Sequence, residues 1–468
     1  MNDSPSLFSI HTHKHIPRIL GLGLFLQQLD SMILNTAIPQ MAESLGTPAL
    51  SLKLAITSYL LTLALFIPIS GYVADRYGTQ KTLSVAMLVF LLGSVLCGVC
   101  FNIETLIFGR LIQGMGAAMV TPVGRLILLR TFSKSDFISA FAAYTVIGQL
   151  GSICGPVFGG ILTTFLNWRF IFFVNIPLIL AALYWVKKFI PNHYNRANLP
   201  KFDWIGFWVF GGAAGAITFG ASWLTEENFS DKTPAILLGA GLILGVIYYL
   251  YARRKKFPAL DLKVFRFRTF SICIWGGTIF RLGSGGITFL LPLELQIGFG
   301  YSAFKAGLLI LPNAVTFLMA RYCFKKILKT YGFKKCLILS PFGVALGLFG
   351  LAWMGPATPI WIIVALMSLI GFTSSIQFGC LNTINFAEIP SNESAPATSV
   401  SAVFQQIAFS FAVCFCAGLL VINSGFSKTA VLSQAAFHST YLILTLVTVL
   451  SALIFLALDK KDGEHLIG

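Results

Sequence analysis

The chain has 468 residues, of which 56% are hydrophobic and only 11% charged, and its mean hydropathy is +0.82. A soluble domain is about one-quarter charged, so this chain cannot cover itself with polar surface and reads as an integral membrane protein. Its net charge of +16 does not mark a nucleic-acid partner, because the basic residues gather in short loops between apolar runs.

Apolar runs of about 20 residues separated by short polar loops predict helices rather than a β-barrel. Fourteen spans are expected, at 16–38, 49–73, 81–101, 103–130, 137–164, 168–190, 203–224, 233–252, 269–297, 303–324, 335–354, 359–386, 397–422 and 437–458. With the amino terminus in the cytoplasm and the spans alternating, the inside loops hold 24 of the 33 Lys and Arg residues. Lys53, Arg169, Lys232, Lys305 and Lys428 fall in outer loops or span edges, and Arg110, Arg125, Arg281 and Arg321 fall within spans. This positive-inside asymmetry puts both termini in the cytoplasm. The first span follows a short His-rich tail and has no small-residue cleavage site, so it is expected to remain as an anchor.

The first span carries Asp30, the only carboxylate of the first half that lies away from a span end. An ionisable side chain at mid-membrane costs about 2.5–3.5 kcal/mol on insertion scales, so it calls for a partner or a task. Two readings stand: a static partner of an arginine, or a proton or cation carrier, which a permanent arginine partner would silence. Gln27 and Asn35 on the same span are candidate cavity residues, as are Phe25 and Gln28. The fourth span carries Arg110, with Gln113, Gly114 and Ala117 on the same helix face. Arg110 either modulates Asp30 or bonds backbone carbonyls.

In the fifth span, Gly151, Gly155 and Gly159 recur every four residues, with Pro156 and Gly160 between and after them. Such a run would make a poor helix in water. In lipid it lets a neighbouring helix approach closely, as simple packing or as a hinge. A polar loop at 191–201 and a basic segment at 253–268 then set off two spans of few polar residues, expected to brace the flanking bundles. The boundaries follow: a six-helix bundle at 1–190, two linker spans with the basic loop at 191–268, and a second six-helix bundle at 269–468.

The ninth span carries Arg281, which opens a Gly-Ser-Gly-Gly stretch suited to a helix break at a cavity, as a structural or a substrate residue. Glu294 lies near the outer end of that span, where a solvated rim residue is the favoured reading and a proton site the other. Lys329–Lys335, around Tyr331-Gly332, looks like a second copy of the basic Tyr77-Gly78 turn. On the thirteenth span Gln405 and Gln406 are candidate cavity residues. The nine cysteines lack the polar loop context of a zinc site, and His11, His13 and His15 lie in a tail expected to be solvated. Nucleotide-binding and hydrolase signatures are absent, so no enzyme, metal or cofactor is expected.

Five motifs in order then match a known family. Leu29-Asp30 through Asn35-Thr-Ala-Ile-Pro39 resembles the first-span signature of the fourteen-span drug:proton antiporter branch of the major facilitator superfamily. Gly71-Tyr-Val-Ala-Asp75-Arg76-Tyr-Gly78 resembles the superfamily's loop between spans two and three. Arg110 through Gly116 resembles its fourth-span motif, Gly151 through Gly160 the antiporter motif, and Trp168 through Pro177 the start of the branch's sixth span. The second half, including Leu262–Phe270, resembles the MdtD-like group of multidrug exporters. The chain departs from the family at Thr79 and Gln80, where basic residues are usual, so the gate contacts of that loop are expected to be weaker.

The resemblance implies an all-α major facilitator fold: two six-helix bundles plus two extra central helices, rocking about a central cavity. It implies a proton-coupled exporter of small amphipathic compounds in a bacterial cytoplasmic membrane. Its partners would be substrate, protons and lipid, with a periplasmic adaptor possible but not required. Asp30, Arg110 and Glu294 would couple protons; Gln27, Asn35, Gln113, Arg281 and Gln405 would line the cavity. Gly71, Asp75, Arg76, Gly78, Gly151, Gly155, Pro156, Gly159 and Gly160 would gate it. The buried arginines keep a second reading open, a dedicated exporter of an anionic metabolite such as a siderophore or carboxylate.

Overall fold

The computed structural model describes residues 7–194, 200–223, 232–390, 393–424, 433–459 and 461–466. Lys428 and Lys460 fall outside these residues, and the side chains of His11 and His13 are likewise not described. The described residues are almost all helical and contain no strand. In hydrocarbon every backbone N–H and C=O must be bonded within the segment, which leaves the helix as the economical choice for such apolar runs.

The first bundle comprises α1 (Leu7–Ile33), α2 (Ile38–Leu45), α3 (Lys53–Tyr77), α4 (Thr79–Gly98), α5 (Ile103–Thr131), α6 (Lys134–Phe165), α7 (Phe170–Phe173) and α8 (Asn175–Phe189). A 3-10 turn at Leu34–Thr36 separates α1 from α2, and Pro39 sits in the first turn of α2, where its missing N–H costs nothing. Asn102 caps α5 reciprocally with Thr105. Two linker helices follow, α9 (Trp204–Trp223) and α10 (Thr233–Arg254). The second bundle comprises α11 (Arg268–Ser284), α12 (Ile287–Leu293) with a π turn at Glu294–Gly298, α13 (Ala303–Ala352), α14 (Ile360–Ile384), α15 (Ser394–Asn423) and α16 (Gln434–Phe455).

Eleven helices among the described residues are long and apolar enough to cross a bilayer. One of them, α13, has 50 residues and would run about 75 Å if straight, more than twice the hydrocarbon thickness. It breaks into two helices at Gly332, whose φ is 72°. Gly78, between α3 and α4, also has a positive φ, of 102°. The two basic Tyr-Gly turns are thus the same device in the two halves: only glycine takes that conformation without strain. The first and ninth segments are interrupted, one by the 3-10 turn and the other at Gly285-Gly286. The arrangement is compatible with fourteen crossings.

Of the linker helices, α9 touches both halves. Phe207 on α9 meets Phe66 on α3 edge-on, with ring centroids 5.4 Å apart, while Ser222 lies 2.9 Å from Cys414 Sγ on α15. Buried Asp203 clips the linker together: it accepts from Gly206 N, Tyr251 Oη and Ala259 N and faces the ammonium of Lys255. Lys53, expected at an outer edge, opens α3 but is 1% exposed, enclosed where α3 nears Cys414 of α15.

Candidate functional site

In the first half, five helices converge on one carboxylate. Asp30 on α1 and Arg110 on α5 are fully buried and paired at 2.7 Å. The same Arg110 Nη1 donates to Gln113 Oε1 at 2.6 Å, and its Nε donates to the Ala55 carbonyl of α3 at 3.3 Å. Its guanidinium lies 4.1 Å from the Tyr59 ring centroid. Gln113 Nε2 donates to Asp30 Oδ1 at 2.6 Å and to Ser94 Oγ of α4 at 2.8 Å. Asn175 Nδ2, at the start of α8, donates to Asp30 Oδ1 at 3.0 Å. A buried ion pair is tolerable when hydrogen bonds satisfy what the pair leaves over, and here both carboxylate oxygens are engaged.

Arg110 touches both kinds of group that the sequence suggests for it, a carboxylate and a backbone carbonyl. The small residues beside it act as expected. A Cβ at Gly114 would lie 2.8 Å from the Tyr59 carbonyl, so glycine brings α3 within reach of the guanidinium. Asn175, Ser94 and Tyr59 were not among the expected site residues. Asn175 carried a readable signal, an amide in an apolar run, whereas Ser94 and Tyr59 carried none.

The second half is arranged differently. Arg281 on α11 is 5% exposed and donates Nη1 to the Gly277 carbonyl at 3.0 Å, while its Nε has no hydrogen-bond partner. Among the described residues it makes no ion pair. The charge lies instead over two rings, 4.9 Å from Phe378 of α14 and 5.6 Å from Phe409 of α15. Gln377, Ser410 and Tyr441, all buried, have side-chain polar atoms without partners.

Glu294 corrects the expectation of a solvated rim. It is 0% exposed, and neither carboxylate oxygen has a hydrogen-bond partner, although Tyr441 of α16 lies against it. The π turn that begins at Glu294 adds a residue to the helical turn and alters which side chains face the bundle. The carboxylate near the outer end of the span is thus enclosed by protein.

The glycine run on α6 forms two seams. A Cβ at Gly151 would lie 2.2 Å from the Phe25 carbonyl, one at Gly155 2.6 Å from Met32 Cβ, and one at Gly159 2.3 Å from Thr36 Oγ1. These three glycines press α6 against α1 and its 3-10 turn, the element that carries Asp30. Gly160 and Pro156 face the other bundle. A Cβ at Gly160 would lie 2.6 Å from the Ala303 carbonyl, and one at Gly307 2.2 Å from the Pro156 carbonyl. Phe304 N donates to Thr164 Oγ1 at 3.0 Å, and the Phe165 and Phe304 rings meet edge-on. The two bundles are thus in backbone contact at this end, opposite the basic loops.

At the basic end Asp75 pairs with Arg130 of α5, and Arg76 donates to Tyr72 Oη at 2.6 Å. Thr79 and Gln80 replace the family's basic residues but do not leave the turn loose. Thr79 N donates to the His193 carbonyl at 3.0 Å, Gln80 N to Asn192 Oδ1 at 3.1 Å, and Gln80 Nε2 to the Lys187 carbonyl at 3.0 Å. A Cβ at Gly78 would lie 2.2 Å from Asn192 Oδ1, whereas Gly71 has open space around it. Burial and the nearby Arg130 guanidinium hold the His193 imidazole below its usual pKa.

The remaining candidates are less engaged. Gln27 accepts from Thr121 Oγ1 at 2.7 Å and lines a void of about 10 Å³ with Leu26, Met87 and Phe90. Gln405 donates to Ser401 Oγ at 3.2 Å, and Asn35 is buried in the 3-10 turn. No group of His, Cys, Asp and Glu among the described residues could hold a metal ion.

Two helical bundles in contact at one end, with ionisable groups buried at their centre, define a secondary transporter rather than an enzyme. The chain belongs to the Major Facilitator Superfamily, whose family profile matches residues 20–413. It is 33% identical over 457 residues to "Probable transport protein HsrA" of Haemophilus influenzae, covering 97% of this chain and 98% of that one. It is also 33% identical over 452 residues to "Putative multidrug resistance protein MdtD" of Escherichia coli, covering 96% and 95%. Among solved structures, a D-xylose-proton symporter matches with a TM-score of 0.70 at 16% identity, over 97% of this chain and 99% of that one. The POT family transporter PepTSo matches with a TM-score of 0.69 at 13% identity, over 95% and 99%. The chain is a multi-pass membrane transporter of small molecules.

Proposed function

We propose that this transporter exports small amphipathic compounds in exchange for protons by alternating access. The observation that carries the reading is the Asp30–Arg110–Gln113–Asn175 network, a carboxylate whose partners come from separate helices. A rotation of α1 past α5 and α8 would part the carboxylate from its donors. Parted, it would gain by taking a proton; re-paired, it would lose that proton. Gly151, Gly155 and Gly159 give α1 a bare surface on which to slide, and Gly160 and Pro156 give the bundles a contact that can open. Glu294 is a second buried carboxylate without a bonded partner and a second candidate proton site.

Proton entry across about 100 mV contributes roughly 2.3 kcal/mol per charge before any pH gradient. The positive-inside distribution of the basic loops supports cytoplasmic termini, so the transporter would act alone and export outward across a bacterial cytoplasmic membrane. Relatives named for multidrug resistance support the substrate class. The test uses proteoliposomes with an imposed pH gradient and a fluorescent amphipathic dye. Wild type should concentrate the dye and dissipate the gradient; Asp30→Asn should retain dye binding but do neither. Uphill transport with normal proton movement in Asp30→Asn would remove Asp30 as the carrier.

A further inference from the structure

The two buried arginines differ in one respect that bears on substrate chemistry. Arg110 has an anion, an amide oxygen, a carbonyl and a ring around it. Arg281 has one carbonyl and two rings. A guanidinium stays protonated at any physiological pH, so this charge cannot be relieved by losing its proton. Aromatic faces compensate a cation only in part. Its position is also prepared: a Cβ at residue 277 would lie 2.8 Å from Arg281 Nη1, so Gly277 leaves the space in which the guanidinium sits.

We propose that the second bundle contains an anion-binding subsite centred on Arg281, and that the transported compounds include organic monoanions, carboxylates or sulfonates, with a flat apolar body. The proposal rests on the transporter reading above and adds the substrate's charge. The anion supplies the partner that Arg281 lacks. Its body meets the aromatic cluster around the guanidinium, in which Phe378 packs against Phe280, Phe317 and Phe409 with centroids 5.5, 6.2 and 6.3 Å away. Gln377 and Ser410, the chain neighbours of Phe378 and Phe409, are buried with unbonded polar atoms on the same two helices. A lipid phosphate has the same chemistry. However, Arg281 is thirteen residues along α11 from Arg268, about 20 Å deep at helical rise, and headgroups lie above only the first few turns.

The test is equilibrium binding to the purified full-length protein in detergent, at fixed pH in phosphate-free buffer, with radiolabelled naphthoate as probe. Naphthylmethanol and naphthylmethylammonium serve as neutral and cationic isosteres. Naphthoate should bind saturably and the isosteres should compete at least about tenfold more weakly, the worth of one charge-assisted hydrogen bond. Arg281→Lys, which keeps the charge but loses the planar fork, and Gly277→Ala, which crowds it, should each weaken binding about tenfold. Arg281→Met should abolish it. Absence of saturable naphthoate binding, preference for the ammonium, or unchanged affinity in Arg281→Lys and Gly277→Ala would overturn the proposal. Should Arg281→Met fail to fold, the other two variants still decide.

A lipid arm repeats the binding in phosphatidylcholine nanodiscs with and without phosphatidylglycerol. Phosphatidylglycerol that abolishes naphthoate binding in wild type would assign Arg281 to lipid and overturn the proposal; undiminished binding supports it. No gradient is applied, so failure of proton coupling would leave the binding result untouched.

Discussion

The two bundles carry the same fold and treat buried charge in opposite ways. In the first, Asp30 and Arg110 complete each other, and Gln113 and Asn175 occupy the remaining valences. In the second, Arg281, Glu294, Gln377, Ser410 and Tyr441 are buried with polar atoms unbonded. Asn175 Oδ1 and Tyr59 Oη are unbonded in the first half too, so the contrast lies in the charges: a paired charge holds a conformation, and an unpaired one leaves a place for a partner. The first half thus has the character of a latch, and the second that of a receptacle.

The comparison breaks most sharply at the latch. Asp30→Ala strands Arg110 without its anion, a change that costs about 3–5 kcal/mol for a buried pair. The apparent melting temperature in detergent should fall by more than for any other single change named here. Combining Asp30→Ala with Arg110→Leu should recover part of that loss, because the stranded charge is gone. A double variant no more stable than the single would mean that the pair is not what holds these helices. The receptacle should respond otherwise. Glu294→Gln keeps the shape of a carboxyl that has no bonded partner, so stability should change by less than about 1 kcal/mol, while proton-driven transport falls. A drop as large as that of Asp30→Ala would show that Glu294 is held by a partner after all.

The seam between the bundles comes next. Gly160→Leu would drive a side chain into the Ala303 backbone, and Gly307→Leu one into the Pro156 carbonyl. Overpacking of this kind costs about 1–3 kcal/mol, but only in the conformation that closes this end. Labelling of Ala303→Cys, 6% exposed on this seam, by an impermeant reagent from that face should rise severalfold in either variant. Gly151→Leu acts within the first bundle and should lower stability without raising the labelling. Equal labelling in all three variants would dissolve the distinction between the two faces of α6.

Much of the latch was legible because charge in an apolar run stands out: Asp30, Arg110 and Gln113 could each be named from residue type and helical spacing. The glycine period on α6 was legible for the same reason, as a departure from what a helix tolerates. The receptacle was harder. Phe378 and Phe409 are two of forty-three phenylalanines, and only the fold brings them over Arg281. Tyr441 reaches Glu294 from a helix about 150 residues later. Glu294 stands near the outer end of its span in the sequence, and only the packing of distant helices encloses it. The turn at Thr79-Gln80 was judged by the charges it lacks, whereas its hold on residues 187–193 comes from amides and carbonyls, which no charge pattern reports.

That turn supplies the smallest expected effect. Burial, and then the Arg130 guanidinium, keep the His193 imidazole below its usual pKa of about 6.5, so the folded turn favours the neutral ring. The unfolded turn binds a proton more readily. Whatever stability the neutral ring confers is therefore complete above about pH 6.5 and is lost as pH falls through that value towards the lower pKa of the folded state. His193 N and the His193 carbonyl both bond Thr79, so a protonated ring beside Arg130 loosens the clasp between the end of α8 and the start of α4. Hydrogen exchange of residues 78–82 should accelerate modestly between pH 7.5 and 5.5, after correction for the intrinsic pH dependence of exchange. His193→Gln, which cannot take up the proton, should flatten the dependence. The Asp30 network, out of reach of water in this conformation, should show no comparable change over the same interval. A pH response at α5 as large as at the turn would mean that the latch itself opens to protons from the basic end.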